Sequence, residues 1–223
     1  MLTPRYLFTD DFASFYSYFL SQPHVRKSFR TGDNLWAPDQ PFETLHYIIS
    51  GVAQNYVEHE NGHRKIISFH GPGTVFPGYH QQDYRIERAI VTKALAPMEV
   101  LEFTKAQFQQ MFVSNIRLSA QVVEWFSMYV NLLLYETAHQ EYNGSFLKLC
   151  NLLYLLLKNQ GDRHDGSIAA TQDEIADLLG VSRVILTRGL AQLRADGILR
   201  THRKRIEVID PAALAQLCSM ETV

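Results

Sequence analysis

The residues best suited to chemistry lie in the segment TQDEIADLLGVSRVILTRGLAQL, positions 171–193. If its second half is helical, four side chains project away from the leucines, namely Arg183, Val184, Thr187 and Arg188. The fork of an arginine guanidinium can donate two hydrogen bonds to O6 and N7 of guanine, and a threonine can donate to phosphate or contact a thymine methyl group. These residue types indicate recognition of double-stranded DNA, and no catalytic residues are implied.

Two short helices joined by a tight turn are predicted to position these side chains. Thr171 and Glu174 form a capping box that begins the first helix, Gly180 ends it, and Ser182 caps the second. The buried face of the second helix is predicted to consist of Leu186, Leu190 and Leu193. This pattern is typical of a helix-turn-helix, whose second helix enters the major groove with its first turns facing base edges.

A basic hairpin follows the second helix. Asp196-Gly197 forms a turn into the strand-like sequence ILRTHRKRIEVID, which predicts a β-wing with a positive tip near the phosphates. From Arg183 to Arg205 there are seven bases against Asp196 alone. The predicted DNA-binding residues are Thr171, Ser182, Arg183, Val184, Thr187, Arg188, His202, Arg203 and Lys204. A winged helix that binds another protein and never touches DNA is the alternative.

Composition sets limits on the class of protein. The 223 residues are 46% apolar and carry a net charge of -2, which excludes a disordered or fibrous chain. Residues 1–144 carry eleven Lys or Arg against fourteen Asp or Glu (net -3), and residues 145–223 carry ten against nine (net +1). Apolar runs stop at six residues, the N-terminus shows no cleavable apolar region, and Cys150 and Cys218 lack metal-ligand spacing. We expect a cytoplasmic protein with reduced thiols and no membrane partner.

The first half of the chain has a different periodicity. Residues 24–103 form short segments punctuated by glycines, and Asn61-Gly62 is a strong hairpin signal, so an antiparallel barrel or jelly roll is predicted. After Thr104, which can cap a helix, the pattern becomes helical. A long helix from about Ile116 to Tyr142 would span roughly 40 Å. Its apolar stripe contains Leu118, Val122, Trp125, Tyr129, Leu132 and Leu133.

That stripe has two interpretations. It can pack on its own barrel, or it can pair with the same helix of a second copy. Because a helix-turn-helix on DNA also favours two-fold symmetry, we predict a homodimer. The predicted fold is α+β: a jelly-roll-like antiparallel β-roll at residues 1–112, a long dimerisation helix at 113–142, and a winged helix-turn-helix at 143–223.

Nearly the whole chain resembles the CRP/FNR family of bacterial transcription regulators. The segment FRTGDNLWAPDQPFETLHYIISGVAQNYVEHENGHRKIISFHGPGTVFPG resembles the ligand-sensing β-roll in its glycine placement, and TQDEIADLLGVSRVILTRGLAQLRADGIL resembles the DNA-binding signature. The resemblance implies that the positions reading bases and phosphates are Arg183, Val184, Thr187 and Arg188. It also implies a homodimer, a palindromic operator, a small organic or anionic effector and contact with RNA polymerase.

The chain departs from the cyclic-nucleotide members at the effector positions. The glutamate that takes the ribose hydroxyl in those members becomes Gly78, the phosphate-binding arginine is kept as Arg88, and its serine neighbour becomes Ala89. On the recognition helix, Val184 replaces a glutamate that accepts from cytosine in many members. The chain has no N-terminal cysteine cluster for an iron–sulfur sensor.

What remains is similar to the branch that senses small organic molecules, including halogenated aromatic acids. The predicted effector-binding residues are Tyr79, His80, Tyr84, Arg88, Trp125, Met128 and Tyr129. Trp125 and Tyr129 could instead belong to the core of the long helix. A cyclic-nucleotide effector or a haem bound by His70 or His80 is the alternative within the family, although no cofactor is expected.

An enzyme built on a metal-dependent cupin-like barrel with a fused helical domain is the alternative from another class. Such barrels place a His-x-His pair and a carboxylate on neighbouring strands, and none of the nine histidines forms such a pair. No metal site is therefore predicted.

Overall fold

The computed structural model describes residues 7–37, 40–58, 60, 64–82, 84–158, 166–220 and 222. It divides into two compact units. The first, here called the β-roll unit, consists of Leu7–Glu58 and Ile67–Tyr135. The second, here called the helix-turn-helix unit, is built around Glu136–Val223. The domain limits at 112 and 142 remain predictions.

The β-roll unit contains two four-stranded sheets. One has the order β1-β5-β4-β7, from strands Leu7–Phe8, Arg64–His70, Ala53–Glu58 and Ile90–Ala94. The other has the order β2-β8-β3-β6, from strands Val25–Phe29, Met98–Thr104, Thr44–Ser50 and Val75–Phe76. The predicted roll is confirmed, although β1 runs parallel to β5. The predicted Asn61-Gly62 turn lies outside the described residues.

The core of the roll lies between its two sheets. Ile48 and Val100 from one sheet pack with Ala53 and Ala94 from the other. Small alanines opposite branched side chains let the sheets approach closely, because interiors are packed to crystal-like density.

Gly51, in the turn between β3 and β4, is expected to be the least replaceable glycine of the roll. Its φ of +84° is strained for any other residue, and an added Cβ would lie 2.5 Å from the carbonyl oxygen of Pro97. Gly51→Ala should lower the free energy of unfolding by about 3 kcal/mol, from left-handed strain and overpacking combined. Urea unfolding measures this change.

Gly32 is the matched control for that substitution. Its φ is +90°, but an added Cβ would meet nothing within 4 Å. Gly32→Ala should therefore cost only about 1 kcal/mol, the strain alone. Equal losses in the two variants would show that the contact with Pro97 does not matter.

Three helices and two 3-10 turns complete the β-roll unit. The 3-10 turns are Ala13–Phe15 and Arg85–Ala89, and the helices are α1 (Tyr16–Ser21), α2 (Lys105–Ser114) and α3 (Ile116–Tyr142), whose last residues lie in the second unit. Thr104 and Gln107 form a capping box at the start of α2, as the sequence predicts. None of the described helices combines the length and hydrophobicity that crossing a bilayer requires.

The helix-turn-helix unit packs four helices on a small sheet. The helices are α4 (Ser145–Lys158), α5 (Gln172–Leu179), α6 (Arg183–Ala195) and α7 (Pro211–Gln216), and the sheet order is β10-β11-β9, from Leu199–His202, Arg205–Val208 and Ser167–Ile168. Its core includes Leu149, Leu153, Ile175, Leu190 and Leu193. Burial raises the pKa of the free thiols of Cys150 and Cys218 to about 12 and about 11, which keeps them protonated at neutral pH.

Candidate functional site

The helix-turn-helix is held by caps at both of its helices. At the start of α5, Thr171 Oγ1 accepts from the Glu174 backbone N–H at 3.1 Å, and Glu174 Oε2 accepts from the Thr171 N–H at 2.7 Å. Gly180 ends α5 with a left-handed φ of +66°, and Ser182 Oγ accepts from the Ile185 N–H at the start of α6. The predicted capping box and helix boundaries are confirmed. Thr171 and Ser182 therefore have structural roles as caps; their contacts with DNA remain predictions.

The recognition helix α6 has one leucine face and one polar face. Leu186, Leu190 and Leu193 are buried. Arg183, Val184, Thr187 and Arg188 are all exposed, with Val184 at 61%. Because they lie on consecutive turns away from the core, these four side chains form one surface, here called the reading face.

Arg183 is available for new partners on this reading face. Its guanidinium lies 3.4 Å from the carboxylate of Asp173, and both side chains are 66% exposed. An exposed pair at that distance contributes little to stability, so a phosphate or a base edge can replace Asp173. The Thr187 hydroxyl donates to the Arg183 carbonyl at 2.8 Å, which leaves its methyl group exposed for apolar contact.

The wing is a tight hairpin with a basic tip. Arg203 and Lys204 form the loop between β10 and β11, and Lys204 has a left-handed φ of +58°. His202 is exposed but pairs across the hairpin with Glu207 at 3.0 Å. Arg194 near the end of α6 donates to the Thr201 hydroxyl at 2.9 Å, a link between helix and wing that the sequence did not reveal.

Gly189 has a packing role in the recognition helix. A Cβ added there would lie 2.7 Å from Leu149 Cδ2 of α4. Glycine costs about 1 kcal/mol in a helix interior, and here it allows α4 to approach α6 closely.

Helix α3 carries two apolar stripes, and the sequence identified the one that packs inside the β-roll unit. Leu118, Val122 and Trp125 are buried there, which favours packing on the roll over a partner interface for these three residues, whereas Leu133 of the same predicted stripe is 37% exposed. A second stripe recurs every three or four residues and is exposed: Ile116, Ala120, Val123, Ser127, Val130 and Leu134. It is here called the outer stripe. It carries no charged residue, and its spacing is that of a coiled-coil seam.

A cavity of about 450 Å³ lies within the β-roll unit. Its aromatic lining consists of Phe42, Phe76, Tyr79, Tyr84, Phe126 and Tyr129. Its polar lining consists of Asn55, His80 and Glu87. A cavity of this size with apolar walls and a few polar groups is typical of a site for a small organic ligand.

The cavity contains some of the predicted effector residues and not others. Tyr79, His80, Tyr84 and Tyr129 line it. Three further residues that the sequence predicted to bind the effector do not line this cavity, and their contact with an effector remains a prediction: Arg88, Trp125 and Met128.

Each of the three has a physical reason for lying elsewhere. Arg88 follows Glu87 on a 3-10 turn, where neighbouring side chains point about 120° apart, so burial of Glu87 leaves Arg88 exposed. Trp125 is buried in the roll and stacks on Tyr129 with ring centroids 5.2 Å apart. Met128 is 44% exposed on α3.

Glu87 is the acidic residue among the described lining of the cavity, and the sequence did not reveal its role. It is only 6% exposed, and its Oε1 lies 2.7 Å from His80 Nε2. The other ring nitrogen of His80 lies 2.5 Å from the Gln82 carbonyl oxygen, which can only accept. The sequence signal for this pair was a glutamate seven positions after a histidine. The resemblance to cyclic-nucleotide members pointed instead to the next residue, Arg88.

Phe126 fills the space beside Gly78. A Cβ added to Gly78 would collide with the ring of Phe126, so the glutamate that cyclic-nucleotide members carry at the aligned position would require that ring to move. The loss of that carboxylate is therefore accompanied by a ring from α3 that occupies its place.

A buried chain of hydrogen bonds lies beside the cavity. The Thr92 hydroxyl donates to Asn55 at 2.7 Å, Asn55 donates to Ser68 Oγ at 3.2 Å, and Ser68 lies 3.0 Å from His70 Nε2. His70 stacks on Phe76, with ring centroids 4.2 Å apart. Complete burial lowers the pKa of His70 to about 3, so the ring is neutral at physiological pH.

His70 is expected to make the protein acid-sensitive. The unfolded histidine takes a proton below pH 6.5, whereas the folded one does not until about pH 3. The free energy of unfolding should therefore fall by about 1.4 kcal/mol per pH unit below pH 6.5 from this residue. Urea unfolding at pH 7, 6 and 5 measures the slope.

His70→Gln should remove that contribution and flatten the slope. The residual slope comes in part from His46, whose pKa is also lowered by burial. An unaltered slope in His70→Gln would contradict this account.

Two family models match the chain, in the order of its two units. The cyclic nucleotide-binding domain matches residues 26–115, and the Crp-like helix-turn-helix domain matches residues 147–217. The chain belongs to the CRP/FNR family of transcription regulators. CRP/FNR proteins bind DNA, dimerise and bind small-molecule effectors, and this chain is a ligand-responsive DNA-binding transcription regulator. The alternative of a metal-dependent cupin-like enzyme is wrong, because the CRP/FNR family is one of regulators.

Individual CRP/FNR relatives are distant in sequence. The CRP-like protein Clp of Xanthomonas campestris pv. campestris (strain B100) is 23% identical over 199 residues, covering 84% of this chain and 85% of Clp. The structure of the c-di-GMP-responsive regulator CLP of Xanthomonas campestris has a TM-score of 0.76 at 21% identity, over 88% of this chain and 98% of that one. CprK complexed with OCPA has a TM-score of 0.68 at 18% identity, over 92% and 93%. These likenesses show a shared fold.

Proposed function

We propose that this CRP/FNR regulator acts as a homodimer that reads a palindromic operator with the reading face of α6. The observation that carries the proposal is the exposure of Arg183 and Arg188 on the face opposite the buried leucines. Both arginines can reach guanine edges in the major groove, and the wing tip at Arg203 and Lys204 can reach phosphates. Two recognition helices about 34–36 Å apart would match one turn of DNA.

The outer stripe of α3 supports the homodimer. Val130 is 47% exposed and Leu134 is 63% exposed on a seam without charges. Ala120 and Ser127 on the same seam are small enough for two helix backbones to approach closely. A matching seam on a second copy of the chain would cover these residues in an isologous interface.

The effector is proposed to occupy the β-roll cavity. Its volume of about 450 Å³ and its aromatic lining suit a compact organic molecule, and the resemblance to regulators that sense halogenated aromatic acids supports an aromatic one. CLP responds to c-di-GMP and CprK is complexed with OCPA, so similar folds serve different ligands. Phe126 over Gly78 disfavours a cyclic nucleotide here, and His70, bonded to Ser68, disfavours a haem.

Effector binding would bias the dimer toward the geometry that fits the operator. We propose that the regulator acts in the cytoplasm and contacts RNA polymerase at the promoters it controls. The contacts of the individual predicted residues with DNA and with the effector are part of this proposal.

Sequencing of genomic fragments bound by the purified full-length protein tests this function. We expect a few intergenic fragments to be enriched, with affinity that falls steeply between 50 and 200 mM salt because phosphate contacts release counterions. Addition of a small-molecule extract of the source cells should change the affinity. Absence of enrichment with and without the extract would contradict the proposal.

A further inference from the structure

We propose that the β-roll cavity binds a compact aromatic molecule that donates a hydrogen bond from an amine or hydroxyl group and carries no negative charge. This inference rests on the proposed role of the cavity as the effector site, and it names the chemical class of that effector. Its basis is the pair formed by Glu87 and His80.

Glu87 leaves one buried acceptor unused. Its Oε1 pairs with His80, but Oε2 is buried and accepts no hydrogen bond from any residue that the structure describes. A buried carboxylate oxygen without a donor costs a large part of its desolvation energy. A ligand that donates to Oε2 recovers that energy, so the cavity favours a donor over an acceptor.

The hydrogen-bonding positions of the Glu87–His80 pair favour a neutral or cationic ligand over an anionic one. Nδ1 of His80 faces the Gln82 carbonyl and must donate, and Nε2 faces the Glu87 carboxylate. Both ring nitrogens of His80 are therefore engaged within the protein, and neither is free to donate to a ligand. The pair therefore offers an anion no free donor, while Oε2 of Glu87 remains an acceptor for a neutral or cationic donor.

The rest of the wall offers an anion nothing better. Among the described lining residues there is no arginine or lysine, and Arg88 is exposed outside the cavity. The Asn55 amide is held by Thr92 and Ser68, and it is neutral, so it supplies no charge to balance an anion. The remaining wall is largely aromatic, and it can stack on a ring. Carboxylates and phosphates would thus be buried without a cation and would lose their hydration without compensation.

Three compounds that share one ring system test the proposal: 2-naphthol, 2-naphthylmethylamine and 2-naphthoate. Isothermal titration at pH 7.5 with the full-length protein should give the naphthol and the amine affinities at least tenfold higher than the naphthoate. Equal or tighter binding of the naphthoate would overturn the proposal, as would failure of both donors to bind. This ranking needs no variant.

Glu87→Gln tests the residue itself. The substitution preserves the shape of the side chain but removes its carboxylate. Binding of the amine should weaken at least tenfold, and the ratio of the affinities of the amine and the naphthoate should fall. Glu99→Gln, at a carboxylate exposed on β8 and paired with Arg26, is the matched control and should change neither affinity. Unchanged binding of the amine by Glu87→Gln would also overturn the proposal.

The outcome is separable from the proposed function. If the naphthoate binds best and also alters binding to an enriched genomic fragment, the effector site stands and only the ligand class is wrong. If the donors bind but no genomic fragment is enriched under any condition, the ligand class stands and the regulatory function is wrong.

Discussion

Val130→Glu is expected to dissociate the dimer and weaken operator binding by about 10²–10⁴-fold. Val130 lies in the outer stripe, 47% exposed in a single chain. A carboxylate there would be buried without a partner against the second copy, at a cost of several kcal/mol. A dimer that binds two half-sites gains affinity by about this factor, because its second contact is made at a high effective concentration. Separate monomers lose that gain.

Sedimentation at micromolar concentration and fluorescence anisotropy on an enriched fragment measure the two effects. Met128→Glu is the matched control, because Met128 is comparably exposed on α3 but lies outside the outer stripe. It should remain dimeric and bind DNA normally. Dimeric Val130→Glu with normal affinity would place the interface elsewhere.

Arg188→Ala is expected to weaken operator binding by about 2–6 kcal/mol per dimer and to relax the preference for one base pair in each half-site. A bidentate contact from arginine to guanine discriminates by about 1–3 kcal/mol, and each dimer loses two. Because Arg188 is exposed, the free energy of unfolding should hardly change. Anisotropy with operator and single-base variants measures both the loss and the relaxed preference.

Arg203→Ala at the wing tip is the informative comparison. It should weaken binding to all sequences about equally and reduce the slope of affinity against salt concentration, since a phosphate contact carries no base information. If Arg188→Ala also weakens all sequences equally, Arg188 is a phosphate contact and not a base reader.

The helix-turn-helix could be predicted almost completely from the sequence because its determinants are local. The capping box at Thr171 and Glu174, the left-handed Gly180 and the leucines of α6 are separated by only a few residues. Each of these signals acts within one helix or one turn, so no knowledge of distant packing is needed. The exposure of the reading face follows from the leucine periodicity alone.

The cavity and the interface depend on packing between distant segments, and the sequence predicted them less well. Helix α3 is apolar on two sides, so its periodicity alone could not show that Leu118 faces the roll and Val130 faces outward. Arg88 and Glu87 are neighbours, and only the 3-10 turn decides which of them is buried. The ring of Phe126 meets Gly78 from 48 positions away along the chain.

Selection of random duplexes by the purified full-length protein, followed by sequencing, tests the central claim most directly. Because a two-fold dimer presents two equivalent reading faces, the account predicts inverted repeats whose half-site centres lie about 10 base pairs apart. Arg188→Ala should lose the preference at one symmetric pair of positions. Recovery of unrelated sequences, or of a single half-site without its inverted copy, would contradict a dimeric regulator that reads DNA with α6.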